Sequence, residues 1–330
     1  MKNITRGITE EFAKAFKKSE LYELYEKHKD ELIIGVRNNY LNLYYNCDSI
    51  AKIKYTHQKL TCEIDTYYID GISRKQGDKD KISKLSPEEI KSKYSVIKDK
   101  SDNKKSNHEK KAQAQLYINN NSNQDSNWFC IDIEYVKAFK NKAEKEESKL
   151  SARFDIIAIS TKPINNKYRV ALIELKYGSG SIGGKSGIYK HVHDFSKFSE
   201  KCYFESQLQR EIIDIFTSLK NLGIKVPFEL DSKDNLLEPE FFFITLDNNK
   251  NSDNGSTPKQ TMSGYLFEDG RWECKKISTK TVESEFGDIT DKSNNFNATF
   301  LFSTENFVDN NEITIADIID CDKYERIEPS

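Results

Sequence analysis

At 330 residues and 38.3 kDa the chain has room for one large domain or two ordinary ones. Hydrophobic residues make up only 36% and charged ones 32%, yet 17 Tyr, 19 Phe and 2 Trp supply a core and exclude a disordered chain. Lys and Arg number 51 against 53 Asp and Glu, and the net charge of −2 excludes a strongly basic, indiscriminate binder of nucleic acid. The longest apolar run, Phe241–Leu246, is far short of the roughly 20 residues of a membrane span, so no membrane partner is expected. Met1–Lys18 has no apolar stretch of the secretory kind. The six cysteines are scattered singly with no zinc-ligand spacing, which reads as reduced, mostly buried thiols in the cytoplasm.

In chain order, Thr9–Asp30 predicts an amphipathic helix with Phe12, Phe16, Leu21, Leu24 and Tyr25 near one face. Four strands follow at Leu32–Val36, Tyr40–Tyr45, Ile50–Tyr55 and Lys59–Tyr68, separated by Asn-rich or polar turns. Residues 1–72 thus read as a helix and β-meander region. Residues 73–105 read as a basic linker with a short helix, opened by the capping box Ser86-Pro87-Glu88-Glu89. Across Ser73–Lys111, 13 basic residues oppose 7 acidic ones, a surplus suited to a solvated connector or to phosphate contact.

Residues 106–330 read as a second domain. A capping box at Ser106–Glu109 opens a helix to about Ile118. Strands are predicted at Trp128–Phe139, Arg153–Ser160 and Tyr168–Tyr177, then a glycine-rich turn at Gly178–Gly187. Helices at Ile188–Glu200 and Tyr203–Leu222 precede a strand at Glu240–Asp247, and the tail from Glu305 is acidic. Helix, three strands, helices and strand make an α/β (α+β) fold, a mixed central sheet flanked by helices.

Two of these strands carry charges inside apolar runs. Asp155 stands in Arg153–Ile159, while Glu174 and Lys176 stand two apart in Val170–Lys176 and so face one side of the sheet. If the strands form a hairpin through Thr161–Lys167, two carboxylates and an ammonium converge. Close carboxylates repel unless a cation lies between them. Mg²⁺ resolves that conflict, takes oxygen ligands and activates water, and a lysine beside it suits attack on a phosphodiester.

This constellation resembles the PD-(D/E)XK nuclease superfamily, whose pattern is an aspartate, a variable spacer and Glu-x-Lys on the next strand. The resemblance covers roughly residues 106–250 and implies a restriction-endonuclease-like core. It implies Asp155, Glu174 and the intervening Leu175 at the metal, Lys176 as catalytic lysine, and Glu109 as an added acid from the first core helix. Phe154 stands where the family pattern has proline. The implied activity is hydrolysis of nucleic acid, DNA favoured over RNA, with Mg²⁺ or Mn²⁺. A homodimer would suit cleavage of both strands, and restriction or defence is the role the fold suggests by analogy.

Asp132 and Glu134, on one strand face, are rival third acids, with solvated positions as the plainer account. Beyond Lys176, the turn with Lys185, and then Tyr189, Lys190 and His191 on the following helix, offers groups for a substrate phosphate. His191 and His193 are two apart and make a poor metal pair. Gln207 and Gln209 read as helix surface, and the N-terminal tyrosines as sheet packing. The same turn, Ser179–Ser186, is one residue short of a P-loop, so a nucleoside-triphosphate hydrolase is one alternative. A catalytically inactive binding module is the other.

Overall fold

The computed structural model describes residues 6–104, 108–139, 142, 146, 153–177, 188–246, 272–276, 297–302, 312–320 and 325–327. It is a mixed α/β structure with two sheets, and the chain falls into two compact units. The first joins Met1–Ile118 to Gln209–Lys233; the second joins Asn119–Leu208 to Asp234–Ser330. Among the described residues no helix is long and apolar enough to cross a membrane.

The first unit begins with two helices, α1 (Glu10–Lys17) and α2 (Glu20–Lys27), where one was expected. The break has a local cause: Ser19 takes extended backbone and returns its hydroxyl to Phe16 O at 2.6 Å. Strands β1 (Leu32–Arg37), β2 (Tyr40–Tyr45), β3 (Asp48–Thr56) and β4 (Lys59–Asp65) form an antiparallel meander. Its turns place Asn46, Cys47, His57 and Gln58 at positive φ, the twist that two-residue hairpins demand. Tyr67 and Tyr68, expected to extend the fourth strand, instead open a helical turn, α3 (Tyr67–Asp70), which Gly71 ends at φ 78°.

The segment expected to be a linker is integral to this unit. Strand β5 (Ile82–Leu85) pairs with β4 as the fifth strand, and helices α4 (Pro87–Ser92) and α5 (Tyr94–Asp102) bury Ile90 and Ile97 completely. The Ser86 capping box is present with both of its hydrogen bonds. Acids of the same unit neutralise much of the basic surplus. Arg74 pairs with Asp70, Lys81 with Asp65, Lys91 with Glu23, Lys98 with Glu31, and Lys104 and Lys110 with buried Asp48. Helix α6 (His108–Ser122) follows, and its first part belongs to this unit. The residues that would cap it at 105–107 lie outside the described set.

The second unit is built on a seven-stranded sheet. Strands β6 (Trp128–Val136), β7 (Arg153–Ser160) and β8 (Tyr168–Tyr177) run antiparallel, and Asn165 and Asn166, both at positive φ, turn β7 into β8. After β8 comes α7 (Ile188–Glu200), then a π-helical stretch at Phe204–Leu208. The chain next contributes α8 (Gln209–Leu222) to the first unit, where it packs against α1. It returns as β9 (Leu236–Leu246), parallel to β8. Strands β10 (Trp272–Lys276), β11 (Asn297–Phe302) and β12 (Glu325–Ile327) complete the order β12-β10-β11-β9-β8-β7-β6.

Side chains fasten the β6 side of this sheet. The Asn121 amide takes both sides of Cys130 on edge strand β6, accepting from its N–H at 2.7 Å and donating to its carbonyl at 2.9 Å. That is the bonding of a neighbouring strand, and it closes part of an open edge. In the acidic tail, helix α9 (Ile315–Ile319) is capped by Thr314 and Asp317. Asp320 accepts from the Trp128 indole and from Arg169, whose guanidinium also grips Glu240 at 2.7 and 2.8 Å.

Candidate functional site

Strand β7 pairs with β8 only as far as Ile156↔Ile173. Beyond that point β7 stays on β6 to Arg153↔Val136, and β8 stays on β9 to Tyr177↔Leu246. The sheet therefore forks, with Asp155 on one arm and Glu174, Leu175 and Lys176 on the other. Asp155 Oδ2 spans the gap and accepts the Leu175 N–H at 2.7 Å. A bond to the N–H of a neighbouring strand lies in the sheet plane, so this carboxylate is directed into the fork.

On the other arm, Lys176 Nζ donates to Glu174 Oε1 at 2.6 Å and to the Leu175 carbonyl at 3.1 Å. Glu174 and Lys176 are only 2% and 6% exposed, in a strand whose Val170–Ile173 stretch is fully buried. Such a pair is sustained by mutual neutralisation rather than by net gain over apolar residues. His191 of α7 brings Nε2 to 3.0 Å from the same Glu174 oxygen. Helix α7 is seated by Phe195, whose ring meets Phe154, Phe241 and Phe243.

An irregularity in β6 sets the sheet face that Asp132 occupies. The pairing shifts between Cys130 and Asp132, leaving Ile131 as the extra residue and placing Asp132 opposite Ile157. Ile157 is opposite Leu172, and Leu172 shares its face with Glu174 two residues on. The solvated position considered for Asp132 is thus replaced by one 1% exposed, with Oδ1 accepting the Ile133 N–H. Glu134 is half-buried and holds a φ of 52°, rare for a non-glycine residue in a strand.

The other expected residues fall elsewhere. Glu109 occupies the first turn of α6 and belongs to the first unit, whereas Asp155, Glu174, Leu175 and Lys176 belong to the second. Lys185 and the whole glycine-rich turn at 178–187 lie outside the described residues, as does Asp247. Tyr189 and Lys190 are placed by their backbone in the first turn of α7. Gln207 donates to Ala138 O at 3.3 Å.

The donors available at the fork are the carboxylates of Asp155 and Glu174 and the Leu175 carbonyl, a hard oxygen set. Among the described residues no three His, Cys, Asp or Glu side chains form a metal-binding group. Two carboxylates and a carbonyl are a sparse set of the kind Mg²⁺ accepts, because that ion retains several waters. The residues present therefore fit such an ion.

Two features escaped sequence reasoning. The bulge at Ile131 has no signal in Phe129–Tyr135, where alternation alone would misplace Asp132. The His191 contact did have one: His191, Phe195 and Phe198 are spaced i, i+4 and i+7, so the histidine continues the core-facing stripe of α7. Comparison of the chain with protein-family models, with curated proteins and with solved structures gave no match.

Proposed function

We propose that the chain is a Mg²⁺- or Mn²⁺-dependent nuclease, hydrolysing phosphodiester bonds of DNA in preference to RNA on a restriction-endonuclease-like core. The observation that carries this reading is the fork, where the Asp155 carboxylate bonds to the backbone between Glu174 and Lys176. The succession α6, β6, β7, β8, α7 and, after α8, β9 supports it, since it contains in order the helix, three strands, helix and strand that the resemblance implies.

Asp155, Glu174 and the Leu175 carbonyl would hold the ion. When bound, the ion supplies charge neutralisation at a phosphate and a more acidic water. Lys176 supplies a cation on the buried side of the fork, free to turn from Glu174 toward a phosphate and offset negative charge building on its oxygens. Burial strengthens that effect, since the ammonium has exchanged its water for Glu174 Oε1 and Leu175 O. Asp155 also fixes the Leu175 backbone, and with it the direction of the carbonyl. We place the activity in the cytoplasm, in restriction or defence against foreign DNA, with a homodimer as the form suited to cutting both strands.

End-labelled duplex DNA, single-stranded DNA and RNA, incubated with Mg²⁺, Mn²⁺ or chelator, test the proposal. Metal-dependent cleavage that disappears with chelator and in both Asp155→Ala and Lys176→Ala is the expected result. Cleavage surviving both substitutions would sink the assignment. Metal-independent binding without cleavage would leave a non-enzymatic module. ATP hydrolysis lost on Lys185→Ala would point to the nucleotide-hydrolase alternative.

A further inference from the structure

Glu174 Oε1 is held from two directions by groups of different character. Lys176 Nζ, at 2.6 Å, comes from the same strand on a flexible four-carbon stem and has a second acceptor in the Leu175 carbonyl at 3.1 Å. His191 Nε2, at 3.0 Å, comes from α7. That helix is immobilised by Phe195 and Phe198, which lie four and seven residues on and are at most 1% exposed. Phe195 lies against Phe241 and Phe243 of β9, and both phenylalanines lie against Phe154 of β7. The imidazole is thus tied to both arms of the fork through one rigid helix face.

We propose that His191 is a positioning residue that fixes the Glu174 carboxylate. The inference rests on the reading of Glu174 as a metal ligand and adds what orients that ligand. Ligating carboxylates need a hydrogen-bonding partner that sets their plane, and loss of such a partner weakens the centre although no ligand has gone. Lys176 serves this purpose poorly, because a cation competing for the same oxygen repels its ammonium. In the Nε2–H tautomer, the one that facing a carboxylate favours, a neutral imidazole donates to Glu174 without a charge for the ion to repel, so its hold persists. His191 is the fixed partner of Glu174 and Lys176 the exchangeable one.

The test uses the full-length chain, Mn²⁺ as probe, and the variants His191→Ala and His191→Gln. Thermal unfolding is followed across a Mn²⁺ titration and in chelator, since an ion bound only by the folded state raises the melting temperature. For His191→Ala the Mn²⁺ concentration needed to reach a given upshift should rise by roughly 10- to 100-fold. His191→Gln, whose side-chain N–H can stand where Nε2 stands, should recover most of that loss. With DNA at saturating Mn²⁺, kcat should fall in His191→Ala while KM for DNA stays unchanged. An unchanged Mn²⁺ dependence of the melting temperature in His191→Ala, beside a clear upshift in the wild type, would overturn the inference alone. Equal loss in both variants, matched by equal destabilisation in chelator, would also overturn it by making His191 a packing residue. Absence of any upshift in the wild type would remove the metal reading itself.

Discussion

The Asp155 carboxylate accepts the Leu175 N–H at 2.7 Å and so occupies, with a side chain, the place of a ladder partner that β7 no longer provides. The same group closes the fork and supplies negative charge inside it. Substitutions at Asp155 can separate these tasks. Asp155→Asn keeps an oxygen able to accept from Leu175, so the melting temperature in chelator should match the wild type. Its Mn²⁺-induced upshift should vanish, and cleavage should fall by at least about 100-fold. Retention of the upshift in Asp155→Asn would take Asp155 out of the centre.

Glu174 and Lys176 are buried together, and removing the ammonium takes the opposite charge from the Glu174 carboxylate although the His191 contact stays. Lys176→Met should lower the unfolding free energy by about 3–5 kcal/mol at neutral pH. The double variant Glu174→Gln with Lys176→Met should be markedly more stable than Lys176→Met, because no lone buried charge remains. Urea denaturation of the four proteins in a double-mutant cycle measures the coupling. A cycle that closes to zero would mean that the two side chains act independently.

Asn121 substitutes for a strand at the edge of the second unit. Asn121→Ala leaves the Cys130 N–H and carbonyl without this amide, and it should destabilise the protein by about 1–3 kcal/mol. Hydrogen exchange should speed up at Cys130 and its neighbours in β6 before it does in β8. Exchange unchanged in β6 would show that the amide contributes nothing to the edge.

Glu31 ties α2 and its following turn to α5. Burial alone would raise its pKa, but hydrogen bonds from Lys98 and Tyr94, the Lys98 charge and the His28 contact outweigh burial and lower it from 4.5. A carboxylate with a depressed folded pKa stabilises the protein above its unfolded value, and that contribution is lost as pH falls through the folded pKa. The difference in stability between wild type and Glu31→Gln should therefore be constant above about pH 5.5 and shrink as pH falls below about 4.5. A difference that grows on acidification would contradict the assigned sign.

Thiol chemistry offers a check on packing. Burial pushes the Cys62 thiol up to about 12 and raises that of Cys130, and Cys47 is also buried, whereas Cys202 is exposed. Iodoacetamide at pH 8 followed by peptide mapping should label Cys202 and spare Cys47, Cys62 and Cys130 until denaturant is added. Labelling of Cys62 in the native protein would show that β4 opens readily.

Local pattern carried much of the second unit. Arg153–Ser160, Tyr168–Tyr177 and Ile188–Glu200 are elements with the bounds their sequences suggest, because apolar runs end at polar turns such as Asn165-Asn166. Alternation failed where the backbone departs from regularity, at Ser19, at Tyr67 and at the Ile131 bulge. Charge counting misread residues 73–105, since Lys98 and Lys104 find partners at Glu31 and Asp48, far away in sequence. Glu174 and Lys176 were legible because charged residues interrupt an otherwise buried strand. The sideways direction of Asp155 was not, because it depends on where two strands part.

The passage of the chain between β8 and β9 has a consequence for synthesis. The core of the first unit includes Ile212, Ile215, Phe216 and Leu219 of α8, although nearly everything else in that unit precedes Ile118. An emerging chain cannot complete its N-terminal unit when that segment leaves the ribosome. That unit's core lacks Ile212, Ile215, Phe216 and Leu219 until β6, β7, β8 and α7 have been made. Domains usually mature in the order they are translated. Here the first unit to begin is finished partway through the second, and no single cut in the gene would yield either one whole.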